Sequence, residues 1–183
     1  VPGFALPFYL FNPELMKIHK RETGRVEGRS EQEILRLMRH ELGHAIDNAF
    51  ALRKNPDRQR VFGSSQKEYP SHYAPRIHSR NFVRYLGEGY AQSHPDEDFA
   101  ETFAFWLDPN KKWRMKGFSK TLTEKLNFMD RLMRQLRCQA PVLKNRFKVD
   151  PIDKNKVTLQ EHYRQFHIER KSSVLRRVDH ELR

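Results

Sequence analysis

The amino-acid sequence predicts a mainly α-helical chain of the α+β class, with a short edge strand or small sheet ahead of its first long helix. Three observations predict it. Apolar residues recur at three- and four-residue steps in several long stretches, each opened by a capping signal. An apolar, aromatic run, A-L-P-F-Y-L-F at 5–11, contains Pro7, and proline confines a strand to an edge or to its start. The 183 residues are 37% hydrophobic with 13 Phe, enough for one domain (1–183) with a real core.

The elements follow in order. The run at 5–11 reads as the edge strand, a place where an extended peptide could add as a further strand. Lys20 to Gly28 is a charged, glycine-containing loop. Leu35, Met38, Leu42, Ala45, Ile46 and Ala49 then mark one face of a helix from about Glu31 to Leu52, with Ser30 and Glu33 as its capping box. Residues 55–74, with Pro56, Gly63, Ser64, Ser65, Pro70 and Ser71, read as a long irregular connection with room for a helical turn. Arg80 to Leu86 is a short helix or extended piece, broken by Gly87 and Gly89 just before Tyr90. Pro95 followed by three acidic residues starts a helix that stops at Asp108-Pro109. Leu122, Leu126, Met129, Leu132, Met133 and Leu136 line one side of a helix to Arg137. After Pro141 a polar, turn-like stretch (145–156) leads to Thr158, the cap of a last helix at 159–170, and a basic tail at 172–183.

The chemistry sits at His40-Glu41-Leu42-Gly43-His44. Histidines four apart lie one above the other on a helix face, so both imidazoles can reach one metal ion, with the Glu41 carboxylate beside them. Two surface histidines on a solvated helix face are the plain alternative. A catalytic zinc needs a third protein ligand and one open position. Glu97 and Glu101, four apart on the later helix, are the candidates, and spacing alone does not choose between them. Asp96 and Asp98 read as complements of the helix dipole, and Phe99, Phe103 and Trp106 as core. His72 and His78 are rival ligands without a spacing partner and read as exposed loop residues.

Two sets of residues carry a resemblance: His40 through Asp47, and Tyr90 with His94-Pro95 and Glu97-Asp98-Phe99-Ala100-Glu101-Thr102. Together they resemble zincin metallopeptidases of the glutamate-ligand type, nearest the bacterial zinc-binding metallopeptidases and similar in motifs to the anthrax lethal factor catalytic domain. The resemblance implies a zincin-like fold and a peptidase that uses Zn2+. It implies His40, His44 and Glu97 as zinc ligands, Glu41 as general base and Tyr90 as hydrogen-bond donor to the oxyanion. It further implies Glu101 and Asp47 behind the ligands, Glu101 orienting a histidine. One departure stands out: a typical zincin has a multi-strand sheet before its active-site helix, and here only about 30 residues precede it.

Composition bounds the rest. The chain starts at Val1 inside an apolar segment, so it is expected to be a fragment lacking upstream sequence. No apolar run approaches the ~20 residues of a membrane span, and a cytoplasmic location is the expectation. A single cysteine, Cys138, excludes a disulfide within the chain and a cysteine-rich zinc site, and reads as a buried small hydrophobe. The 35 Lys and Arg against 23 Asp and Glu give a net charge of +12, a field that attracts polyanions. The expected partner is a protein or peptide substrate, an acidic one if that field guides it; nucleic acid fits the charge, but no nucleic-acid motif accompanies it. Two other readings use the same residues: a basic nucleic-acid- or anion-binding module with a structural or vestigial zinc, and a hydrolase of a non-peptide amide.

Overall fold

Asn12 and Pro13 open the first helix. The Asn12 side chain accepts from the backbone N–H groups of Glu14 and Leu15, Pro13 occupies the first helical position, and Gly24 closes the helix in the left-handed region. In the computed structural model, which describes residues 3–4, 6–70, 73–87, 89–144 and 151–169, this helix, α1, spans Pro13–Thr23. The other helices are α2 (Glu31–Ala49), α3 (Pro56–Phe62), α4 (Pro95–Leu107), α5 (Lys120–Leu136) and α6 (159–169), joined by irregular chain and single 3₁₀ turns.

Among the described residues there is no strand, so the expected α+β class with an edge strand is replaced by an all-helical fold. The apolar run before α1 forms a turn, closed by hydrogen bonds from Leu10 N–H to Pro7 C=O and from Asn12 N–H to Tyr9 C=O. Tyr9 and Leu10 are buried in it. The run is too short and too close to the Asn12 cap to extend, and no second strand is present among the described residues to pair with it. Two further expectations change. Cys138 is exposed, just past the end of α5. The connection after residue 55 contains a full helix, α3, capped by Asn55 with Pro56 at its first position. His72 and the tail at 172–183 lie outside the described residues. No described helix is long and apolar enough to cross a membrane.

The core is built around α4. Every residue from Asp96 to Ala104 is buried, so this helix is wrapped on all sides, as an apolar or internally paired helix must be. Phe99 and Phe103 pack with Leu52, Phe62, Phe128, Met129 and Leu132, which joins α3, α4 and α5. The opposite side of α4 meets α2. His40 lies against Glu101, Gly43 against Ala100 and His44 against Glu97, so the two helices run antiparallel. A Cβ on Gly43 would stand 2.9 Å from the Ala100 Cα and 3.2 Å from its carbonyl oxygen. The small pair Gly43 and Ala100 thus sets how closely the helices approach.

Gly43→Ala is therefore expected to destabilise the protein. Alanine gains about 1 kcal/mol in helix propensity, but forcing a methyl against the facing backbone costs about 1–3 kcal/mol. A urea midpoint equal to or above that of the wild type would show that the two helices have slack.

Candidate metal centre

The antiparallel crossing brings three donor atoms together. His40 Nε2 lies 3.1 Å from Glu97 Oε2, His44 Nε2 lies 3.2 Å from the same oxygen, and the two Nε2 atoms are 3.1 Å apart. His40 and Glu97 are buried and His44 is half-buried. Three lone-pair atoms at such spacing repel one another unless a proton or a cation lies between them. A tetrahedral zinc with bonds of about 2.0–2.1 Å holds its ligands about 3.3–3.4 Å apart. The donor set and its spacing therefore fit a zinc ion.

Glu101 fixes the first of these ligands. It is wholly buried. Its Oε1 accepts from His40 Nδ1 at 3.0 Å, and its Oε2 accepts from the backbone N–H groups of Tyr85 (3.0 Å) and Leu86 (3.1 Å). With the Nδ1 proton engaged by Glu101, the Nε2 atom is the one turned to the centre, and its lone pair becomes available to a metal when the second proton leaves. The same carboxylate anchors the chain at 85–86. Gly89, in the left-handed region at φ 81°, then turns that chain into the 3₁₀ turn Tyr90–Gln92. A Cβ there would also strike Pro75, at 2.1 Å. This turn sets the Tyr90 ring 5.4 Å from the His40 ring.

A cleft of about 560 Å³ opens from this point, lined in part by His40, Glu41, Tyr90, Leu86, Arg36 and the turn at 26–29. The Glu41 carboxylate faces it and is hydrogen-bonded to no described residue; burial raises its pKa, against the pull of His40 and His44. Burial and the Glu97 charge also raise the Tyr90 phenol, so its proton stays on at neutral pH. Burial opposes charge on Glu97, yet hydrogen bonds from His40 and His44 hold its carboxyl well below the usual range.

Asp47 stands one layer further back. It shares the buried Arg58 with Asp96: Arg58 Nη2 donates to Asp47 Oδ2 at 3.1 Å and to Asp96 Oδ1 at 2.6 Å. The half-exposed Arg53 bridges the same two acids, at 3.3 and 3.2 Å. Asp98 likewise has a buried partner, Lys125 Nζ at 2.6 Å; burial pushes this carboxyl up to about 7, with Lys125 pulling it down. Asp96 and Asp98 therefore do more than complement the helix dipole: each ties α4 to another helix. His78 is exposed, in a turn closed by Ser79 N–H to Arg76 C=O.

Two residues beside Glu97, Tyr69 and His94, have roles that the sequence did not assign. Tyr69 donates its hydroxyl to Glu97 Oε1 at 2.8 Å. Its ring lies flat on His94, centroids 3.8 Å apart and planes 13° from parallel. His94 is the N-cap of α4: its Nδ1 accepts from Asp96 N–H and its Nε2 faces the Lys67 carbonyl at 2.7 Å. The hint in the sequence is the His94-Pro95 pair, which marks a cap; nothing marks Tyr69, 28 positions before its partner.

An all-helical scaffold with two histidines and a glutamate converging from facing helices has a donor set able to hold a metal ion, the mark of a candidate metal-binding protein. The chain belongs to the zinc-binding metallopeptidase family: residues 18–116, just over half of it, match the family model described as "Putative zinc-binding metallo-peptidase". No curated protein and no solved structure matches the chain, so the comparisons support the family and not the expected similarity to the anthrax lethal factor catalytic domain.

Two predictions come from this geometry. Removing Arg58 leaves Asp47 and Asp96 buried with only Arg53 between them, so Arg58→Ala is expected to cost about 3–5 kcal/mol, read from a denaturant melt. A loss under 1 kcal/mol would mean that Arg53 alone suffices. The second concerns pH in the metal-free protein. Burial disfavours charge on His40, but Glu101 and Glu97 outweigh it and raise the pKa from 6.5 to about 9. A raised histidine adds stability below pH 6.5 that is lost as pH climbs through about 9. Zinc competes with that proton, so metal affinity is expected to rise over the same window. Opposite slopes in an apo-protein melt series and a zinc titration series check this; parallel slopes refute it.

Proposed function

We propose that the protein is a zinc-dependent peptidase that hydrolyses peptide bonds with Glu41 as general base. One observation carries the reading: His40, one of the three converging donors with His44 and Glu97, lines a cleft together with the Glu41 carboxylate, which no described residue hydrogen-bonds, and the Tyr90 phenol. Family membership over residues 18–116 supports the reaction class and the metal.

Zinc held by His40, His44 and Glu97 would polarise the scissile carbonyl and bring a bound water's pKa toward ~7. The chain supplies the remaining work. Glu41 accepts the proton of the attacking water and delivers it to the leaving amine. Its raised pKa suits both tasks, because the carboxyl must take a proton and then release it. Tyr90 keeps its proton and donates a hydrogen bond to the developing oxyanion, a contribution worth about 3–4 kcal/mol per donor in other enzymes. Glu101 holds His40 in the ligating tautomer. Asp47 acts at a distance from the chemistry, through Arg58, by holding α2 and α4 in register.

The Glu41→Gln variant tests the base. It is expected to keep bound zinc and to lose about 10²–10⁴-fold in cleavage rate, measured by metal analysis and by hydrolysis of a quenched peptide library. Glu97→Ala is expected to lose the metal. Wild-type turnover in Glu41→Gln, or wild-type zinc content in Glu97→Ala, would remove these assignments.

A further inference from the structure

Glu97 uses its two oxygens differently. Oε2 faces both histidine nitrogens, at 3.1 and 3.2 Å, while Oε1 accepts the Tyr69 hydroxyl at 2.8 Å. We infer that Tyr69 is a positioning residue that holds Glu97 to one-oxygen coordination of the metal. This rests on the reading of His40, His44 and Glu97 as the ligands.

The Tyr69 side chain is substantially exposed, 58% for the residue, yet its hydroxyl is not left to find Glu97 by chance. Four contacts at alternate residues fasten the incoming chain to the start of α4 and to the arginine beneath it. The Gly63 carbonyl accepts from Arg58 Nη1 at 3.1 Å. The Ser65 hydroxyl donates to Asp96 Oδ1 at 2.5 Å. The Lys67 carbonyl is 2.7 Å from His94 Nε2. Tyr69 then reaches Glu97. His94 has both ring nitrogens engaged, so its ring is a fixed plate, and Tyr69 stacks on that plate. Its Nδ1 accepts from Asp96 N–H, which places a proton on Nε2, facing the Lys67 carbonyl.

The chemical consequence follows from counting lone pairs. A carboxylate that binds a metal through both oxygens takes two coordination positions. A hydrogen bond that occupies Oε1 and fixes the carboxylate plane favours binding through Oε2 alone. His40, His44 and one glutamate oxygen then make three ligands, and the fourth position stays free for a water or a substrate carbonyl. Partners behind a ligand also raise metal affinity, typically 10–100-fold.

Tyr69→Phe keeps the ring stack on His94 and removes only the hydroxyl. The ring is largely exposed, so the variant is expected to fold with a wild-type melting temperature. Zinc affinity, measured by competition with a chelating dye, is expected to fall about 10–100-fold. Protein loaded with Co2+ gives the second reading: the intense visible absorption of a four-coordinate site in the wild type should weaken in Tyr69→Phe as Glu97 engages through both oxygens. Zinc affinity and cobalt spectrum equal to wild type overturn the inference, as does a change in melting temperature alone, which would make Tyr69 a loop anchor. Wild type and Glu97→Ala run alongside. If these two bind zinc equally, the ligand assignment itself fails, and the inference with it.

Discussion

The close antiparallel approach of α2 and α4 is the constraint on which everything else depends. Gly43 lacks a side chain where the Ala100 backbone arrives, 2.9 Å from the position a Cβ would take. That approach carries His44 down to Glu97 and His40 to Glu101 without long side chains reaching across a gap. Gly43 is more than a spacer between His40 and His44. Here it sets the distance between two helices, and the helices set the site.

Close approach alone would not stabilise this arrangement, because α4 brings four carboxylates into the interior: Asp96, Glu97, Asp98 and Glu101 are all buried. Buried charge is tolerated when it is paired. Asp96 has Arg58 and Arg53, and Asp98 has Lys125, which itself lies 3.9 Å from the Phe82 ring centroid. Glu101 has two backbone N–H groups and the His40 ring. Glu97 differs. Its partners are a tyrosine hydroxyl and two imidazoles, none a permanent cation. Among the described residues its only potential cations are protonatable rings, so one charge is left to balance, and a divalent ion would supply it without relying on pH. Charge accounting along one helix thus singles out Glu97, which spacing could not do.

Much of this was legible in the sequence, for local reasons. Ser30 caps α2 by accepting from Glu33 N–H, and Thr158 does the same for α6 with Glu161. Pro95 starts α4, and in the ladder of α5 Leu122, Leu126, Met129 and Leu132 are buried, with Met133 and Leu136 partly so. The capping box is looser than its pattern: the Glu33 carboxylate accepts from the N–H of Arg29, one residue before the cap. The edge strand at 5–11 was misread because apolar, aromatic composition outweighed the Asn12-Pro13 cap that follows. The unread parts are non-local. Arg58 meets Asp96 across 38 positions and Tyr69 meets Glu97 across 28. A lone arginine or tyrosine in a polar connection carries no period and no cap to announce such a partner.

The missing sheet changes how a bound peptide would be gripped. With no strand among the described residues, backbone pairing along an edge is not on offer beside this cleft. Its walls are α2, Tyr73, the turn at 26–29 and the chain carrying Leu86, Gly87 and Tyr90. Glu101 joins the last of these to the metal centre, since it accepts both from His40 and from the backbone at 85–86. One buried carboxylate therefore couples ligand geometry to the position of a cleft wall. Side chains on the walls, among them Arg29, Glu33, Arg36 and Leu37, must then do the recognising. Arg29 and Glu33 already engage each other at 3.4 Å. Arg36 has no carboxylate partner among the described residues and lies over the Tyr85 ring, its guanidinium carbon 5.8 Å from the centroid. Selectivity in such a cleft would be set by irregular chain and a few charged side chains, so it could change by substitution there without disturbing the helix pair that brings His40, His44 and Glu97 together.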